Sequence, residues 1–142
     1  MEVSYLIVPL VKGGENIFDQ ELAKLFPFGK MKVLKIHDQL LLTLYFDIDN
    51  LLDLGVCNEE QLLQTEEIVH SFSRKHPYLK LLYLHITGGS VCFYEGYLLK
   101  NRNKLMEKSG LDDSYLPLIQ ALVPTYEERT FEPFLSVFLS EI

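Results

Sequence analysis

The chain has 142 residues, a length that predicts one domain. Hydrophobic residues make up 48%, too many for a disordered chain and enough for a core that needs neither metal nor disulfide. Thirteen Lys and Arg against twenty Asp and Glu give a net charge of −7, which argues against general affinity for duplex nucleic acid or anionic membranes.

In chain order, residues 3–11 are β-rich and read as a buried strand. Lys12-Gly13-Gly14-Glu15 breaks it. Asn16 then caps a predicted helix with Phe18, Leu22, Leu25 and Phe26 on one face, ended by Pro27, Phe28 and Gly29. Residues 31–36 set Met31, Val33 and Leu34 against Lys30, Lys32 and Lys35, the pattern of an exposed or edge strand. A turn near His37-Asp38 leads into an apolar strand over residues 39–48. Asn58-Glu59-Glu60-Gln61 is a capping box, followed by a helix with Leu62, Val69 and Phe72 on its core face and a stop before Pro77. Residues 79–87, Gly88-Gly89 and residues 91–99 read as a β-hairpin. Asn101 is expected to cap a short helix carrying Leu105 and Met106 and closed by Gly110. A helix over residues 114–123 precedes Pro124, and residues 131–139 read as a final strand. The predicted order is β-α-β-β-α-β-β-α-α-β, an α+β domain.

The two halves differ in charge. Residues 1–71 hold five basic and twelve acidic residues, whereas residues 72–142 hold eight of each. The basic group Lys100, Arg102, Lys104 and Lys108 reads as a solvated helix end. Cys57 and Cys92 form neither a disulfide framework nor a zinc pattern, so reduced thiols and a cytoplasmic location are expected. Glu2 stands where a signal peptide would place a basic residue, and no run approaches a membrane span of roughly 18 apolar residues.

Two strands echo one another. Leu41-Leu42-Thr43-Leu44-Tyr45-Phe46 and Phe134-Leu135-Ser136-Val137-Phe138-Leu139 share the order apolar, Leu, hydroxyl, aliphatic, aromatic, apolar. Period two sets Leu41, Thr43 and Tyr45 on one face, and Phe134, Ser136 and Phe138 on its equivalent. With Tyr5-Leu6-Ile7-Val8-Pro9-Leu10 as an opening strand and Phe131-Glu132-Pro133 before the second echo, the arrangement resembles the two-histidine (2H) phosphoesterase superfamily. That family includes the 2′–5′ RNA ligase-like proteins. The resemblance implies a bilobal fold of antiparallel sheets with flanking helices, its pseudo-symmetric lobes lying at roughly residues 1–75 and 76–142. It also implies one His-x-Thr or His-x-Ser strand per lobe.

This chain departs from that pattern where the chemistry lies. Leu41 and Phe134 replace the two histidines, while Thr43 and Ser136 keep the hydroxyls. Neither Leu nor Phe can transfer a proton, so the family's acid–base catalysis is not expected. The resemblance then implies a divergent, non-catalytic protein that binds a nucleotide or another phosphate-containing ligand in a central groove. Thr43 and Ser136 would bind phosphate oxygens, and Leu41, Tyr45, Phe134 and Phe138 would form an apolar and aromatic floor, either open to a ligand or, as such residues in strands favour, closed and packed as core. An alternative from another class is a small acidic interaction protein, inhibitor- or immunity-like, whose acidic half steers a basic protein partner.

The remaining candidates are sparse. His85-Ile86-Thr87 is a literal His-x-Thr; an active phosphodiesterase for cyclic or 2′–5′-linked nucleotides would need a second, and His85 reads better as a cross-strand partner or part of a capped turn. His37, His70 and His76 are scattered without metal-ligand spacing, so no metal is expected, nor any cofactor. Asp47 and Asp49 read as turn formers, and both Gly-Gly pairs as turns rather than phosphate loops. Cys57 reads as a packed thiol, and Ser71, Ser73, Ser90 and Ser109 fit no nucleophile elbow.

Overall fold

One of the two middle strands is the opening segment that the sequence marks as buried. In a computed structural model that describes residues 1–10, 18–89, 91–111 and 113–127, β1 (Glu2–Leu10) lies between two antiparallel neighbours and is almost wholly buried. Nearly continuous hydrophobicity is what a strand covered on both faces requires. After α1 (Asp19–Leu25), β2 (Lys30–Ile36) and β3 (Gln39–Asp47) form a hairpin that returns β3 to the side of β1. Three helices follow: α2 (Ile48–Asp53), α3 (Glu59–Leu63) and α4 (Thr65–Lys75). A meander of β4 (Leu81–Gly88), β5 (Cys92–Lys100) and β6 (Asn103–Leu111) and then α5 (Leu116–Leu122) complete the described elements.

The class is α+β, and the described strands make one six-stranded antiparallel sheet in the order β2-β3-β1-β4-β5-β6. Residues 1–75 supply three of these strands and residues 76–142 the other three; β1–β4 pairing joins them. No helix among the described residues is long and apolar enough to cross a membrane.

The alternation of side chains divides the core in two. On one face Tyr5, Ile7, Leu41, Tyr45, Leu82, Leu84 and Ile86 pack with Leu118, Ile119 and Leu122 of α5. On the other, Leu6, Val8, Leu42, Leu44, Phe46 and Leu81 pack with Phe18, Leu22 and Phe26 around α1 and with Val69 and Phe72 of α4. The predicted apolar stripe of the first helix is therefore present. Its predicted cap, Asn16, and the Gly13-Gly14 break lie outside the described residues, as does the predicted strand over residues 131–139.

Three expectations change. First, the segment over residues 103–111 is strand β6, not a helix capped by Asn101. Asn101 and Arg102 have φ of 50° and 64° between the paired residues Lys100 and Asn103, a two-residue hairpin turn with both central residues left-handed. That turn sends the chain back along β5, and ladder pairing overrides the helix propensity of Lys, Leu, Met and Glu. The turn is also tied to α4: the Arg102 backbone N–H donates to the Ser73 hydroxyl at 3.0 Å, and its guanidinium meets Glu67 at 2.8 Å. The group read as a solvated helix end thus lies along the β5–β6 hairpin. Second, the chain after the capping box is two helices, not one. The Asn58–Gln61 box is reciprocal, with both bonds at 2.9 Å, but α3 ends at Leu63, and Leu62 does not join the Val69 and Phe72 core stripe. Third, Asp47 caps an additional helix, α2, by accepting from the Asn50 backbone N–H at 3.2 Å.

Candidate functional site

The second face of the sheet is covered only in part. Helices α1 and α4 pack on it through Phe18, Leu22, Phe26, Val69 and Phe72, with α4 against β5, whereas a cleft of about 740 Å³ floored by β1, β4, β5 and β6 opens toward α2 and α3. Its floor is set by register. Ser4, His85, Glu95 and Ser109 are consecutive cross-strand partners on β1, β4, β5 and β6, and all four line the cleft. Beside them runs a second rank, Leu6, Tyr83, Tyr97 and Glu107, which changes from apolar to polar toward the β6 edge. Ile48, Leu52, Leu62 and Leu63 form an apolar wall from α2 and α3.

The floor is tightly wired. Ser4 Oγ and His85 Nδ1 share a hydrogen bond of 2.8 Å, and His85 Nε2 lies 3.4 Å from a Glu2 carboxylate oxygen. Tyr83 is hydrogen-bonded to the same Ser4; burial nevertheless pushes its hydroxyl up to about 12, Ser4 works against that, and the Glu66 carboxylate adds to it. Ser4 is only 1% exposed, so this chain of bonds fixes the floor and holds the His85 ring at the cleft surface. His85 is the cross-strand partner its sequence context suggests.

Tyr97 is the second anchor. Its hydroxyl donates to Glu66 at 3.3 Å and lies 3.2 Å from His70 Nε2. Glu66 and His70 are four residues apart on α4, the spacing that sets two side chains on one helix face. Burial, then the Glu66 and Tyr83 side chains, raise the Tyr97 hydroxyl well above its ordinary range, so the ring stays neutral. The Tyr83 and Tyr97 rings are 5.7 Å apart, and the Lys104 ammonium sits 4.5 Å from the Tyr97 ring centroid.

Five glutamates line the cleft (Glu2, Glu59, Glu66, Glu95 and Glu107) against two lysines, Lys104 and Lys108. The formal charge of that lining is −3 with histidine neutral. Such a surface favours a cation; both tyrosines are buried, and the Tyr97 ring already has the Lys104 ammonium over it.

The residues singled out in the sequence lie elsewhere. Leu41 and Tyr45 share one face of β3 and belong to the core under α5. Leu41 and Thr43 are 0% exposed and Tyr45 5%, and the Thr43 hydroxyl donates to the Leu41 carbonyl at 3.5 Å. Burial, with Asp47 adding, pushes the Tyr45 hydroxyl up to about 12. Phe134, Ser136 and Phe138 lie outside the described residues. Cys57 is buried and burial raises its thiol pKa, in line with a packed role. No group of three or more metal-ligating side chains occurs among the described residues.

Sequence reading missed Tyr83, Tyr97, Glu66 and Glu95. The available signal was in β5, where Phe93, Glu95 and Tyr97 put aromatic and charged groups on a face that a core strand would fill with aliphatics. Compared with family models, curated proteins and solved structures, the chain finds no match in any of the three.

Proposed function

We propose that this protein is a binding module that takes a basic segment of a protein partner into the cleft between β4–β6 and α2–α4. The observation that carries the reading is the lining itself: five carboxylates against two ammonium groups over two tyrosine rings. Peptide side chains such as Arg and Lys bring the complementary charge. The apolar wall of Ile48, Leu52, Leu62 and Leu63 gives their hydrocarbon stems something to pack on. A phosphate group would meet repulsion from the same carboxylates, so the acidic-interaction reading fits this site better than the nucleotide reading.

The test is calorimetric titration with a hexa-arginine peptide and a hexa-glutamate peptide. Hexa-arginine is expected to bind, more weakly as salt rises, and hexa-glutamate not at all. Glu66→Gln with Glu95→Gln is expected to weaken binding by about tenfold or more. Asp38→Asn with Glu127→Gln removes the same charge from exposed positions outside the lining and should weaken it far less. Equal losses from the two pairs would show attraction to net charge alone and overturn the cleft assignment.

A further inference from the structure

We infer that the Tyr97 ring is the seat for an arginine guanidinium of the partner, and that Lys104 holds that seat until the partner displaces it. The inference rests on the proposed binding of a basic segment and names its anchor.

The argument starts from backbone register. Residues three apart on a regular strand point to opposite faces. Lys104 and Glu107 nevertheless meet at 2.7 Å. The reason is a bulge: Leu98 pairs with Met106 and Leu99 with Lys104, which leaves Leu105 as an extra residue in β6. The extra residue resets the alternation. Lys104 and Glu107 then share the cleft face, and the ammonium group comes over Tyr97.

The ring is buried, 6% exposed, and its hydroxyl end is anchored to α4. Glu66 accepts a hydrogen bond from the Tyr97 hydroxyl, and His70 contacts the same oxygen from α4. The ring is therefore fixed in place, with a carboxylate at each end of the seat: Glu66 at the hydroxyl and Glu107 beside the ammonium. Lys104 is half exposed and, among the described residues, held by this exposed pair and the ring, so it is a weakly held occupant. A guanidinium is the better occupant. It is planar, stacks on an aromatic face, and its fork of N–H donors matches a carboxylate two oxygens at a time.

The experiment is titration of the full chain with hexa-arginine, using wild type, Lys104→Ala and Lys108→Ala. Lys108 lines the same cleft and matches the charge change, but the ring contact belongs to Lys104. Lys104→Ala is expected to tighten binding by about threefold to tenfold, and Lys108→Ala by less than about twofold. On the unaltered protein, NMR is expected to show ring-current-shifted Lys104 side-chain protons that return toward ordinary positions as hexa-arginine is added. Equal tightening by the two variants, or Lys104 shifts that persist at saturation, overturns this inference and leaves the cleft reading standing. Failure of wild type and Lys104→Ala alike to bind hexa-arginine overturns both.

Discussion

The two faces of the sheet are made from the same strands and have opposite characters. On β4 and β5, the face under α5 carries Leu82, Leu84, Ile86, Tyr94 and Leu98, and it is closed by Leu118, Ile119 and Leu122. One residue along each strand, the other face carries Tyr83, His85, Glu95 and Tyr97, and it opens into the cleft. The difference is one of cover. A buried polar group must find a partner, so polar ranks are tolerated where the helices stop short. Under the proposed function, stability and recognition divide between the faces, so substitutions on neighbouring residues should separate them.

The sharpest test of that division is Leu84→Ala. Leu84 is fully buried, and its removal leaves a cavity between the sheet and α5. A loss of about 2–5 kcal/mol is expected in chemical denaturation. A loss below about 1 kcal/mol would mean that α5 relaxes onto the sheet and that this face is not the rigid one.

The half-covered face depends more on polar tethers. Ser73 is fully buried on α4 and receives the Arg102 backbone N–H of the β5–β6 turn. Ser73→Ala leaves that donor without its partner and should destabilise by about 1–2 kcal/mol. Hydrogen exchange is expected to localise the loss to α4 and the turn, while the strands under α5 keep their protection.

A second tether is smaller and depends on pH. Glu21 of α1 meets Lys75 and His76 at the end of α4, each at 2.9 Å. Burial works to raise the Glu21 carboxyl, but its hydrogen bonds to Lys75 and His76 and their charges overcome this, leaving it below its ordinary range. A carboxyl lowered in the folded state stabilises above its unfolded pKa and loses that contribution as pH falls through the folded value. Glu21→Gln should therefore be less stable than wild type at pH 7 by under about 1 kcal/mol, since the lysine is largely exposed. The gap should close as pH falls below the ordinary Glu value of about 4.3. Melting temperatures of the two proteins across that range check it; a gap that widens toward acid would reverse the assignment.

The local pattern of the strands and helix starts was legible in the sequence, but the closure of one face under α5 was not. Alternation set Leu41, Thr43 and Tyr45 on one side of β3, the lysines of β2 marked a sheet edge, and the Asn58 box marked a helix start. Each is a local rule acting over a few residues. The open face was not legible, because it depends on register between strands far apart in the chain. Ser4 and His85 are 81 residues apart, and nothing local says they are partners. The β6 strand was missed for a related reason. Its outcome was decided by Asn101 and Arg102 taking left-handed φ, and arginine gives no advance sign of that conformation. The fold sets Lys104 over Tyr97 through a bulge, which side-chain spacing within β6 alone cannot reveal.

The smallest expected effect on stability is also the most informative about the cleft. Glu95 is directly opposite His85 on β4 and Ser109 on β6, in the middle of the polar rank, yet it is exposed. Exposed carboxylates contribute little to folding, so Glu95→Gln should change stability by no more than about 0.5 kcal/mol. Its effect on a cation in the cleft is different in kind. One of five carboxylates is lost while shape and hydrogen-bonding capacity are nearly kept. Hexa-arginine binding should weaken by about threefold to tenfold at low salt, and the loss should shrink as salt screens the lining. Denaturation and calorimetry on the same preparation read both quantities. A variant that unfolds more easily but binds unchanged would place Glu95 among the structural residues, and the open face would then be an incomplete core rather than a site. Unchanged stability with weakened, salt-dependent binding would place recognition on this face, one residue away from the side chains that hold the other together.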